Sequence, residues 1–247
     1  MESIRVKFLG TGDAFGHGGR LQPCILIEYE AEKFLVDCGA SAMISMHRFG
    51  VDPNTIDFIL LSHLHGDHFC GLPFFILDAQ LHSKRISPLI IAGPAGTQKR
   101  LNQAMELMFP GSSTVQRKFA VEVVEFEPER TWVHHSVSVT PYLVNHPSGD
   151  PALALRVECG GRIISYTGDT EWTDSLVPAT QNAGLLIAEA YFFEKQIKYH
   201  LNYKTLTAHL NELQPKRTII THMSNDMLAM LPNPDIEAAE DGMIIEI

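Results

Sequence analysis

The stretch Ile59–Leu72 reads ILLSHLHGDHFCGL. An apolar run leaves the interior and delivers His63, His65, Asp67 and His68 within six positions. Such a cluster is either one half of a metal site or an accidental polar loop, and the companion segments decide. His146 follows the apolar stretch SVTPYLV, Asp169 follows RIISYT and His222 follows RTII. Taken singly, His146 fits a turn, Asp169 a helix cap and His222 a strand end. Together, each group lies just past the C-terminal end of an expected strand. Rigid strands can bring all seven side chains to one rim of a sheet.

The rest of the pattern supplies those strands. Residues 4–9, 23–30, 33–37, 56–61, 87–93, 152–159, 162–167, 185–190, 217–222 and 242–247 read as strands, several paired as hairpins across short turns. Short β-rich pieces fill 119–145. Residues 40–49, 72–81, 96–109 and 205–213 have helical spacing or composition. Strands begin and end the chain and helices are interspersed. This predicts an α+β fold of two packed sheets with helices outside. With no repeat, low-complexity tract or linker, residues 1–247 read as one domain. The helix at 72–81 either covers the core or supplies an interface. Residues 223–241 read as a loop or short helix before the last strand.

Composition narrows the function. The net charge is −10, from 19 basic and 29 acidic residues. A protein gripping long nucleic acid needs a basic face, so that class is disfavoured. A small anionic substrate stays open, because a bound dication reverses the local field. No apolar run approaches the ~20 residues that span a bilayer, and the N-terminus does not resemble a signal peptide. A cytoplasmic location is the expectation, although a chain already cleaved of a leader would read the same. Cys24, Cys38, Cys70 and Cys159 are scattered and read as reduced thiols.

Imidazole and carboxylate donors suit zinc, and manganese and iron accept them too. Seven ligands exceed one tetrahedral ion and suit two ions sharing a carboxylate. His63 and His65, on alternate positions of extended chain, can face one ion. Asp67 and His68, past the turn at Gly66, can face a second.

These residues, HLHGDH followed by His146, Asp169 and His222, resemble the metallo-β-lactamase superfamily over nearly the whole chain. The opening FLGTGDAFGHGGRLQPCILIE, the GPAG segment at 93–96, His200 beyond the acidic strand end AEAYF, and THMSNDMLA resemble the ribonuclease Z branch. The resemblance implies a four-layer αββα sandwich. It implies that His63, His65 and His146 hold the first ion, Asp67, His68 and His222 the second, and that Asp169 bridges both. A homodimer is expected by the same analogy.

The implied chemistry is hydrolysis by a hydroxide shared between two divalent metal ions, expected to be zinc. Asp67 is a candidate to orient the nucleophile and take its proton. His200 is a candidate general acid for a phosphodiester leaving group, with Glu189 orienting it. Asp13 reads equally as support for a ligand or as a turn former. His17 and His209 read as loop and helix-surface histidines. His134 and His135 would point opposite ways on a strand and receive no role. Asp169 comes only 23 positions after His146, so the long arm of the tRNA-processing enzymes is absent. The loop GHGGRLQP also lacks the close form of their Pro- and basic-residue motif. A phosphodiesterase for a small or cyclic phosphodiester is therefore the first expectation. A hydrolase of carboxyl derivatives such as a lactone or thioester is the second, with Tyr191, Tyr199 or Tyr203 as oxyanion donors. A non-catalytic binding module would have lost ligands, and all seven are present.

Overall fold

The computed structural model describes residues 3–149, 151–231 and 236–247. The first sheet is built from β1 (Arg5–Gly10), β2 (Cys24–Tyr29), β3 (Glu32–Val36), β4 (Phe58–Leu60), β5 (Leu89–Gly93) and β6 (Val121–Glu125). The second comprises β7 (Trp132–His134), β8 (Val137–Val144), β9 (Ala152–Cys159), β10 (Arg162–Tyr166), β11 (Leu185–Glu189), β12 (Thr218–Thr221) and β13 (Glu237–Ala238). The last strand, β14 (Ile244–Glu246), returns to the first sheet beside β1. The strand orders are β14-β1-β2-β3-β4-β5-β6 and β13-β12-β11-β10-β9-β8-β7.

Each sheet has an antiparallel half made of hairpins and a parallel half. Parallel neighbours need crossovers. The helices provide them: α1 (Ala42–Arg48), α2 (Gly66–Phe69), α3 (Gly71–Leu81) and α4 (Thr97–Met108) on the first sheet, and α5 (Leu176–Thr180), α6 (Tyr203–Leu213) and α7 (Asn225–Leu228) on the second.

Alternation along the strands sets the layers. Phe34, Val36, Phe58 and Leu60 point into a central cluster that they share with Val139, Leu155, Ile164 and Ile187 of the second sheet. The intervening Leu35 and Ile59 point the other way, against Met46, Phe75 and Leu101 of the first helical layer. Leu186, Ala188 and Ile220 pack outward against Leu176, Leu206 and Leu213. Each sheet is apolar on both faces, so each needs a partner on both sides. The result is the helix–sheet–sheet–helix sandwich expected from the sequence.

Helix α3 covers the core through Leu72, Phe75, Ile76 and Ala79, leaving Phe74 and Leu81 exposed. No helix among the described residues is long and apolar enough to cross a membrane. The four cysteines are free thiols. Segment 223–241 forms α7 and β13, and its residues 232–235 lie outside the described set. Helices α2 and α5 are not visible in the sequence because four and five residues are too short to show a period.

One packing contact seats the future site. A Cβ on Gly39 would stand 2.1 Å from the Asp67 carbonyl oxygen, and one on Gly71 would stand 2.3 Å from that of Gly39. Backbone meets backbone here, and α2 is pressed onto the end of β3 as no larger residue would allow.

Candidate metal centre

All seven predicted donors meet at one rim. His63 and His65 lie in the turn after β4, and Asp67 and His68 lie on α2. His146 follows β8, Asp169 follows β10 and His222 follows β12. They form two groups, His63–His65–His146 and Asp67–His68–Asp169–His222, each with donor atoms within 4.8 Å of one another. The three rings of the first group face each other at centroid separations of 4.8–4.9 Å.

Asp169 stands between the groups. Its Oδ2 lies 3.9 Å from both His63 Nε2 and His146 Nε2, and 3.4 Å from His222 Nε2. Its Oδ1 lies 3.3 Å from His68 Nε2. Gly168, with φ 58°, makes the turn that sends this carboxylate inward.

The rings are held in defined tautomers. His68 Nδ1 donates to Asp37 Oδ2 at 2.7 Å, and His146 Nδ1 donates to the Tyr199 carbonyl at 2.9 Å. Their Nε2 atoms are thereby left to point at the centre. His63 Nε2, His68 Nε2 and Asp169 Oδ1 are buried without a hydrogen-bond partner. Orphaned buried polar atoms cost about 1–3 kcal/mol each. Three at one point, on borderline donors, form a set that a divalent cation would satisfy.

The protonation of the two groups differs. Burial, then the neighbouring His68, pushes His63 well below its ordinary value, and burial lowers His65 as well. Both shifts favour the neutral form, the form a metal ligand requires. Burial also opposes charge on His68 and His222, but Asp169 and the other carboxylates outweigh it. They raise His68 well above its usual range and His222 to about 10. Asp67 and Asp169 are held well below the carboxylate range, against burial, by His68 and His222.

Metal uptake at the second group must therefore displace protons and should weaken as pH falls. Metal-free protein should show the opposite trend in stability. The contribution of charged His222 is complete below its unfolded pKa of about 6.5. It is lost as pH rises through its folded value of about 10. Melting temperature of chelator-treated protein should fall between pH 7 and pH 10.

Asp37 is the functional residue that the sequence conceals. It is fully buried just past β3, in the left-handed region at φ 59°. It accepts from Ser62 N and Ser62 Oγ as well as from His68, and the Tyr166 hydroxyl also bonds to it. Asp37→Ala should weaken metal affinity by about 10–100-fold, the usual cost of losing a partner behind a ligand. Competition with a chromogenic chelator measures it.

His200 and Glu189 complete the rim. His200 Nδ1 donates to Glu189 Oε1 in a short contact. The other oxygen of Glu189 accepts from Thr170 N at 3.0 Å and Leu201 N at 3.2 Å. The His200 ring lies 4.9 Å from that of His146 and 6.1 Å from that of His222. Glu189 Oε1 is also 3.4 Å from His222 Nδ1, so this carboxylate serves two histidines rather than one. Burial opposes charge on His200, but its bond to Glu189 prevails and its pKa is raised.

The remaining sequence candidates fall as follows. Buried Asp13 shapes its loop by accepting from Phe15 N, His17 N and His17 Nδ1, and it also bonds the Tyr191 hydroxyl. Tyr199 has φ 71°, and Glu171 Oε2 accepts from its amide at 2.9 Å. His209 stacks on Trp172 at 3.5 Å and is in none of the donor groups among the described residues.

Comparison with known proteins identifies relatives of the whole chain. A ribonuclease Z of Methanosarcina acetivorans is 26% identical over 307 aligned positions, covering 99% of this chain and 98% of that protein. The crystal structure of human tRNase Z, short form, superposes with a TM-score of 0.81 at 27% identity, covering 98% of each chain. The metallo-β-lactamase fold protein YhfI from Bacillus subtilis superposes with a TM-score of 0.82 at 20% identity over the whole of both chains, a likeness of fold. The chain is a hydrolase of the metallo-β-lactamase fold, ribonuclease Z-like in its relatives. The profile of one family, described as Anti-Pycsar protein Apyc1, matches residues 4–238. A match of that extent, running through all seven donors, makes the chain a member of the Anti-Pycsar protein Apyc1 family.

Proposed function

We propose that the protein is a dinuclear metal phosphodiesterase acting on a small or cyclic phosphodiester. His63, His65 and His146 would hold one divalent ion and Asp67, His68 and His222 the other, with Asp169 between them. Zinc is the first expectation, and manganese and iron suit the same donors. Bound there, the ions would supply a nucleophile from water near neutral pH and neutralise charge on the phosphoryl oxygens.

The observation that carries the reading is the His200–Glu189 pair beside both donor groups. Glu189 raises the pKa of His200 against burial, and Nδ1 is committed to that carboxylate. The proton on Nε2 is the one His200 can hand to a departing alkoxide. Asp67, held ionised by His68 and His222, orients the attacking water and accepts its proton. Hydrolysis of a carboxyl derivative would call for an oxyanion donor. Tyr191, beside His200, has its hydroxyl engaged by Asp13.

Substrate size follows from what is missing. The alignment with the archaeal ribonuclease Z spans 307 positions, 60 more than this chain's 247 residues. At least that many positions of the relative have no counterpart here. A net charge of −10 disfavours a grip on many tRNA phosphates.

The test is turnover of bis-p-nitrophenyl phosphate and of cyclic and linear nucleotide diesters, against a lactone and thioester panel, on metal-quantified protein. Chelator-sensitive cleavage of the diesters with about two metals per chain is expected. Cleavage of the acyl substrates alone would replace this reading with acyl hydrolysis.

A further inference from the structure

Strand β3 runs from Glu32 to Val36, and Asp37, at its end, supports the catalytic rim. At about 3.3 Å per residue, Glu32 stands about 16 Å away, at the opposite end of the sandwich. The hairpin between β7 and β8 comes to the same place. His134 pairs with Val137, leaving His135 and Ser136 as a two-residue turn.

That turn changes what the adjacent histidines can do. On a strand they would face opposite sides. His135 instead has φ 47°, a left-handed conformation that is common at the first position of such turns but costly for most residues other than glycine. Its ring lies against that of His134, with centroids 4.2 Å apart and planes at 87°. His134 is fixed from its other sides, stacked on Trp132 at 5.6 Å and edge-on to Phe58 at 5.2 Å.

Glu32 reaches this pair from the other sheet. One carboxylate oxygen accepts from Ser136 Oγ. The other, Oε1, is buried with no hydrogen-bond partner. Among the described residues no lysine or arginine pairs with Glu32. The donor atoms of Glu32, His134 and His135 all lie within 4.8 Å of one another.

We propose that Glu32, His134 and His135 form a separate site for one borderline divalent cation of the zinc class, clasping the first sheet to the second. The donor set, two imidazoles and a carboxylate, is one that Zn²⁺ accepts. Ligand bonds of about 2.0–2.2 Å ask for donors about 3.3 Å apart, a closure within rotamer reach of an exposed His135. Burial, then the neighbouring His135, lowers the pKa of His134. The orphaned Glu32 oxygen gains the partner it lacks. Water would supply the fourth ligand.

The experiment is equilibrium dialysis of metal-loaded, full-length protein against Zn²⁺, with bound zinc counted by elemental analysis. Glu32→Gln and His135→Gly serve as variants. Glycine accepts the backbone of residue 135, so His135→Gly keeps the hairpin and removes only the ligand. Wild type should take up about one more zinc per chain than either variant, or hold it at least ~10-fold more tightly. Its melting temperature should rise on addition of Zn²⁺ while those of the variants rise less. Turnover at the catalytic rim should be the same in all three. Equal zinc uptake in wild type and variants, or no uptake beyond the catalytic centre, overturns the site. Because the readout is a difference in bound metal, it is independent of whether phosphodiesters are the substrate.

Discussion

His200→Ala should lower turnover of a diester with a nucleoside or other alkoxide leaving group by about 10²–10⁴-fold, the usual worth of a positioned general acid. The same variant should lose less than ~10-fold on bis-p-nitrophenyl phosphate. The p-nitrophenolate ion departs without a proton, so the donor has nothing to contribute. The contrast separates proton donation from mere support of His146 and His222, whose loss would depress both substrates alike. Glu189→Gln should follow His200→Ala on the alkoxide substrate, with its pH–rate profile moved toward acid. The carboxylate that holds the proton on His200 would be gone. Equal losses on the two substrates would remove His200 from the acid role.

Asp169→Ala should be more damaging, lowering turnover on every substrate by ~10³-fold or more, or about 4 kcal/mol of barrier. One side chain belongs to the second donor group and also faces His63 and His146 of the first, with all four histidine contacts at 3.3–3.9 Å. Bound metal should fall from about two ions per chain toward one or none by elemental analysis. The histidines of the second group also lose the charge that raises their pKa, so His222 in the metal-free variant should titrate closer to its ordinary value. NMR of the imidazole protons would follow it. Full metal content with normal turnover would overturn the place of Asp169 between the two groups.

The donors were legible in the sequence because each is a chemically distinctive residue placed just after an apolar run. Periodicity located the strands and the donor residues followed. The layers were legible for the same reason, since Phe34–Leu35–Val36 and Phe58–Ile59–Leu60 are apolar at every position, as strands covered on both faces must be. What escaped notice acts over distance or through the backbone. Asp37 in FLVDCG looks like an ordinary strand end, and its partners Ser62 and His68 lie 25 and 31 positions away. Tyr199 orients His146 through a carbonyl, which every residue possesses. The sequence pairs Glu189 with His200 alone, since nothing in one dimension places His222 beside it. A strand would point His134 and His135 to opposite faces, and a positive φ at His135 brings their rings together instead.

The rim has a cost that matters for anyone who selects variants of this enzyme. Asp37, His222 and Tyr199 all hold left-handed backbone, at φ 59°, 55° and 71°. Such conformations cost on the order of 1 kcal/mol or more for residues with a side chain. A library screened only for survival at high temperature would reward glycine or asparagine at all three positions. At His222 that reward would be taken in a lost donor and at Asp37 in the lost partner of His68, and the survivors would be robust and inactive. Tyr199 is different, because only its carbonyl touches His146. It is the place at the rim where heat tolerance and catalysis need not be traded against each other.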